Sequence, residues 1–289
     1  EPIGDGDPPG TRLPAPDVRS RPRSQWPDVT IDGARPSMAK RSPMLATFAI
    51  TVITTVGGGV LALPTALATF GPLGAGITVV AMGLLNVLTI SAIANAIARS
   101  SAVASGRGRI GVLCAEHLGA TSAFTATITS TLMWAGIMTA YAIGVARTAE
   151  ETLDVDEVTA AVVLMAVVVV LVGLQARRAF VASAIAVAIT NIILLLALIV
   201  IVASRASWDH LSDGFTAFDE GRSAADALGV VFGTVLLTFF GHTGMFTIAP
   251  EVLRADPTGR SLRRGAVGAM AVAAIISAAW AVAALSAID

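Results

Sequence analysis

The residues of this chain best suited to chemistry are few, and they lie deep in apolar sequence. Gly57, Gly58 and Gly59 stand in the middle of the apolar stretch 45–70 and are followed by Val60, Leu61, Ala62, Leu63 and Pro64. Each glycine costs about 1 kcal/mol in a helix interior, so three in a row predict an unwound segment. Backbone opened at membrane depth is tolerated only where protein or a watery cavity satisfies it. The competing reading is close helix packing, which asks instead for small residues one turn apart. A second such place occurs in the stretch 227–248, where Phe239, Phe240, Gly241, His242, Thr243 and Gly244 combine glycine with polarity. An intramembrane His is costly, so it is either a functional group or a side chain buried against a partner. Thr47, Thr51, Thr54 and Thr55 share one helical face leading up to the glycines. Their hydroxyls either line a site or bond back to their own helix.

Two interrupted helices offer a specific chemistry. The positive end of a half-helix receives a carboxylate, and freed carbonyls hold an amine or a cation. An amino acid carries both groups. The expected substrate-binding set is Thr55, Gly57, Gly58, Gly59, Phe240, Gly241, His242, Thr243 and Gly244. His242 and Glu251 are expected to serve ion coupling or gating, with H+ or Na+ as the coupling ion and no other cofactor. Glu251 is equally placed to pair with Arg254 or Arg264 in a solvated loop. Enzyme and metal chemistry find no apparatus: His117, His210 and His242 are the only histidines, no HExxH occurs, and Cys114 stands alone. Gly106, Gly108 and Gly111 spell GxGxxG, but they follow a membrane helix where a dinucleotide fold requires a strand. No nucleic-acid partner is expected.

The elements that must position these residues are membrane helices. Hydrophobic residues make up 55% of the chain and charged ones 13%, and the uncharged runs reach the roughly 20 residues that cross a bilayer. Seven stretches can be marked: 45–70, 73–98, 121–146, 158–174, 179–203, 227–248 and 265–288. The intervening segments sort by charge. Arg19, Arg21, Arg23, Lys40 and Arg41 precede the first stretch; the basic segment 99–109, the pair Arg177 and Arg178, and the group Arg254, Arg260, Arg263 and Arg264 fall in alternate connections. These should face the cytoplasm. Acidic loops carry Glu150, Glu151, Asp154, Asp156 and Glu157, then Asp209, Asp213, Asp219, Glu220 and Asp226. The expected organisation is a disordered cytoplasmic tail, 1–42, and a transmembrane domain, 43–289, in the plasma membrane. A seven-helix receptor is the rival from another class. It would put the N-terminus outside, and the seventh stretch lacks a retinal-binding Lys.

Spans one and six, five apart, run antiparallel in this topology and both carry glycine breaks, which is the pattern of an inverted-repeat transporter. The first repeat would cover about 45–203 and the second would begin at about 227–288. The run Gly57-Gly58-Gly59-Val60-Leu61-Ala62-Leu63-Pro64-Thr65-Ala66 resembles the GxGxLxLPxA first-span signature of the amino acid/auxin permease family. Phe239-Phe240-Gly241-His242, the apolar run to Pro250, Glu251 and the basic residues through Arg264 are similar to that family's sixth span. The resemblance implies the LeuT-like five-plus-five fold of the amino acid/polyamine/organocation superfamily, all-α and membrane-embedded, with ten or eleven spans. It also implies secondary active transport of an amino acid by alternating access. The aromatic amino acid permease family shares a glycine-rich first span followed by LALP and is the nearest alternative. Only seven spans stand in the sequence, so the natural polypeptide is expected to continue beyond Asp289 with at least three more, and residues 1–289 alone are not expected to transport.

Overall fold

A computed structural model describes residues 42–106, 108–173, 177–207, 211, 229, 232–236 and 238–287. Among these residues there is no strand, and helix dominates. The expected tail lies outside the described residues except for Ser42, and so does the second acidic loop.

The first apolar stretch becomes three short helices, α1 (Pro43–Thr55), α2 (Gly58–Leu61) and α3 (Leu63–Leu67), and a 3-10 turn, Ala68–Phe70. Proline sits in the first turn of α1 and of α3, where its missing N–H leaves no helical bond unmade. Gly71 then turns the chain at φ 65°, a left-handed conformation that a side chain would strain, and α4 (Gly71–Arg99) follows. Ser100 caps the next turn, α5 (Ser101–Ala104), by accepting the Val103 N–H. Two helices then run on from Arg109: α6 (Ile110–Leu118) and the long α7 (Ala120–Leu153). They are followed by α8 (Glu157–Gly173), α9 (Arg177–Ala203), α10 (His242–Ala255) and α11 (Arg260–Ser286).

Among the described residues, three segments are long and apolar enough to cross a membrane: Leu63–Arg99, Ala120–Leu153 and Arg260–Ser286. Shorter apolar helices occupy Pro43–Thr55, Glu157–Val170 and Ile189–Ala203. These coincide with the first, fourth and fifth expected stretches. The first long segment joins the end of the first expected stretch to the second, and the left-handed Gly71 divides it where the sequence suggested.

Several boundaries differ from expectation: Arg177 and Arg178 open α9 instead of forming a turn, and Arg254 lies in the last turn of α10. Glu150 and Glu151 belong to α7, which ends only at Asp154, in left-handed conformation at φ 54°. The acidic loop is therefore reduced to 154–156, with Glu157 opening α8. Arg260, Arg263 and Arg264 lie in the opening turns of α11, not in a loop. The reason is local. Asp256 accepts the N–H groups of Thr258 and Ser261 and the Thr258 hydroxyl, and Gly259 takes φ 69°, so the helix starts immediately afterwards. These bonds, the Thr258 hydroxyl first, hold the Asp256 carboxyl down to about 2.

The core is built where α11 packs against α4 and α1, with α10 on α1. Small residues make this possible. A Cβ placed on Gly83 of α4 would meet the Ala274 methyl at 2.5 Å, and one on Gly265 of α11 would meet the Met44 carbonyl oxygen at 2.5 Å. Such close approach raises dispersion contact between helices that hydrocarbon solvent does not push together. By contrast, α7 packs chiefly on α6 and α8.

Candidate functional site

The first break is narrower than the glycine triplet. Thr55 ends α1, Val56 and Gly57 leave the helix, and Gly58 already begins α2, so Gly57 alone of the three lies outside helix, in extended conformation. Gly59 serves the alternative use of glycine. A Cβ there would lie 3.1 Å from the Thr238 hydroxyl and 3.2 Å from the Thr238 Cα. A Cβ on Gly57 would lie 2.7 Å from the Tyr141 hydroxyl of α7. The triplet thus combines one conformational break with close packing.

A carbonyl freed at such depth must find a donor. Val56 O finds it in the side chain of Asn191, whose Nδ2 donates across from α9 at 2.8 Å. Asn191 was not singled out from the sequence, although an amide within the apolar run 179–203 was the available signal.

The second break lies at Phe239, Phe240 and Gly241, none of them helical, after which α10 starts at His242. The two breaks touch. The space a Cβ would need on Gly241 is filled by the Thr55 hydroxyl, with the Thr51 carbonyl 3.2 Å away. A Cβ on Gly244 would lie 2.6 Å from Thr54 Oγ1 and 3.3 Å from Ile50 Cγ2. Ordered along the chain, the partners of Ile50 and Thr54, then Thr55, then Gly59 are Gly244, Gly241 and Thr238. The two interrupted segments therefore cross antiparallel.

The threonine face mostly bonds to its own backbone. Thr47 donates to Pro43 O at 2.9 Å, Thr55 to Thr51 O at 2.7 Å, and Thr54 to Ile50 O at 2.9 Å. Thr54 Oγ1 also approaches Gly241 O at 3.3 Å, a longer contact that stitches one break to the other.

His242 faces α4. Its Nε2 lies 3.1 Å from Thr89 Oγ1, and Thr89 donates its only hydroxyl proton to Asn86 O at 3.0 Å. The ring is held by a partner, and it is not among the residues lining the cavity described next. Phe240 meets Trp134 of α7 edge to face, ring centres 6.0 Å apart and planes at 72°.

A cavity of about 390 Å³ opens beside the crossing, between α1, α10, α7 and the start of α6. Of the expected set, Thr243 and Gly244 line it; Gly57, Gly59, Thr55, Phe240, Gly241 and Glu251 do not. Glu251 is exposed on α10, and no ion pair to Arg254 or Arg264 occurs among the described residues. Residues not anticipated complete the lining: Arg109, Ser130, Thr131 and Trp134, with Thr54 from the hydroxyl face. Thr127, Ser130, Thr131 and Trp134 recur at helical spacing, a polar stripe on α7 that is legible in the sequence once the search extends beyond glycine. No family model matches the chain, and neither a curated protein nor a solved structure is found similar to it.

Proposed function

We propose that this chain forms the substrate-translocating part of a secondary active amino-acid permease with a LeuT-like inverted-repeat fold. The observation that carries the reading is the antiparallel crossing of two helix breaks, at Val56–Gly57 and at 239–241, which are separated by most of the chain yet touch through Thr55 and Gly241. Opened backbone at such a crossing supplies what a zwitterion needs. The N-terminus of α10 directs a partial positive charge at the crossing, and the C-terminal end of α1 a partial negative one. A carboxylate is favoured at the first and an amine at the second. A small amino acid is also commensurate with the cavity of about 390 Å³, near the lower end of ordinary small-molecule sites.

In this reading the N-terminus is cytoplasmic, the membrane is the plasma membrane, and an H+ or Na+ gradient drives uptake. The test is radiolabelled uptake by the full-length protein in proteoliposomes, offering each proteinogenic L-amino acid, aromatic ones included, under an imposed H+ or Na+ gradient. Saturable uptake of at least one, lost in Gly241→Leu, is expected. No saturable uptake of any of them under either gradient rejects the permease reading. Preference confined to Phe, Tyr and Trp assigns the aromatic branch.

A further inference from the structure

Among the described residues, the lining of the cavity beside the crossing includes one cationic residue and no carboxylate. Its lining includes Arg109 and the hydroxyl-bearing residues Thr54, Ser130, Thr131 and Thr243, and none of the described lining residues is Asp or Glu. Arg109 makes no ion pair among the described residues, where the single salt bridge joins Arg147 to Glu157. Thr243 Oγ1 is buried and has no hydrogen-bond partner among the described residues, so it still has a proton to donate. The indole of Trp134 forms part of the wall, while its edge-to-face contact with Phe240 fixes the ring in place.

We infer that Arg109 is a specificity-determining residue that receives the carboxylate of the transported amino acid in this cavity, on the α6 side of the crossing. The inference rests on the permease reading and adds to it a residue that composition would have assigned only to topology. The chemistry is direct. A guanidinium presents a rigid fork of N–H donors that matches a carboxylate in a bidentate pair, a stronger and more directional contact than a half-helix terminus supplies. Arg109 is exposed and stands immediately before α6, so it reaches the cavity from its rim. That location suits a station at which substrate is held as it enters or leaves, next to the broken helices without being part of them.

The experiment measures dissociation constants by calorimetry for the full-length protein in phosphatidylcholine nanodiscs, titrating proteinogenic L-amino acids and then the α-amide of the tightest binder. Arg109→Gln is expected to weaken binding of the amino acid about tenfold to a hundredfold, while the amide, which lacks the carboxylate, changes by less than about twofold. Arg109→Lys keeps the charge without the fork and is expected to fall between. Wild-type binding with an unchanged constant in Arg109→Gln overturns the inference and leaves the permease reading standing. Absence of binding by the wild type to every amino acid overturns both. A difference between wild type and Arg109→Gln that appears only in phosphatidylglycerol nanodiscs also overturns it, by assigning the guanidinium to a lipid headgroup. Equal weakening of acid and amide does so too, because it identifies Arg109 as a support for the cavity wall and not a partner of the carboxylate.

Discussion

α11 and α7 are both long apolar helices, and they are used in opposite ways. Half of the most apolar window of α11 is buried within the molecule, and none of the corresponding window of α7 is. Both helices are rich in Ala, Gly, Ser and Thr, so the difference lies in what those small residues meet. On α11, Gly265, Ala266, Ala269, Ala273, Ala274 and Ala281 are buried, so backbones come close, whereas on α7 a Cβ added at Gly136 or Gly144 would meet nothing within 4 Å, and Phe124, Ile128 and Leu132 are exposed. The cavity lies on the seam between these two regimes. Thr54, Thr243 and Gly244 come from the tightly packed side, and Arg109, Ser130, Thr131 and Trp134 from the loosely attached one.

The comparison is broken most decisively through glycine. Gly265→Leu should drive a side chain into the Met44 carbonyl and the Thr47 side chain and destabilise the protein by about 3 kcal/mol or more. Gly144→Leu on α7, where a Cβ meets nothing within 4 Å, should cost less than about 0.5 kcal/mol. Thermal unfolding of the two variants in the same detergent checks this, and equal losses would erase the distinction between the two helices.

Next in size is Asn191→Leu. It removes the amide that satisfies Val56 O and should cost about 1–3 kcal/mol, since the carbonyl is left without a donor. Asn191→Gln should recover part of the loss. An unchanged unfolding midpoint in Asn191→Leu would show that the break is held open by something other than α9.

Asp256 sharpens the comparison at the start of α11. Its carboxyl is held near 2 in the folded protein, below the usual value near 4, so its stabilising contribution is present above about pH 4 and is lost as pH falls towards 2. The group is largely solvated, which limits the effect to about 1 kcal/mol. Asp256→Asn should therefore lower the unfolding midpoint at pH 6, and its gap from wild type should close between pH 4 and pH 2. A gap that stays constant across that range would remove the carboxylate's charge from the account.

The smallest effect is expected at the junction of α7 and α8. Arg147 Nε lies 3.7 Å from Glu157 Oε1 with both side chains well exposed, so Glu157→Gln should change stability by less than about 0.5 kcal/mol. A larger loss would mean that α7 and α8 are more firmly joined than their exposure implies.

The helix breaks were legible in the sequence because glycine and polarity in an apolar run contradict each other energetically. Their meeting was legible only as a symmetry argument, since no spacing rule gives the distance between Thr55 and Gly241. Arg109 was hidden by the charge sorting itself, which counts arginines as signs of topology and does not ask which cavity each residue lines. Asn191 was hidden because one amide in a long apolar run satisfies helix and membrane patterns alike. Glu150 and Glu151 were misplaced because charge was taken as a sign of loop. Glutamate is a good helix former, and the helix continues until the backbone at Asp154 turns left-handed. His242, marked from the sequence as either functional or buried against a partner, has a neighbour on α4, Thr89, within hydrogen-bond distance.

The hydroxyl of Thr55 occupies the volume that any side chain at position 241 would need. The two positions therefore share a single space, and neither can be altered by descent independently of the other. In a diverging lineage, a methyl gained at 241 would have to be preceded or accompanied by loss of bulk at 55, for example to Gly or Ala. The pair should thus leave a correlated trace across relatives at two sites nearly the whole membrane domain apart in sequence, and that trace would date the joining of the two breaks more faithfully than either glycine-rich motif read alone.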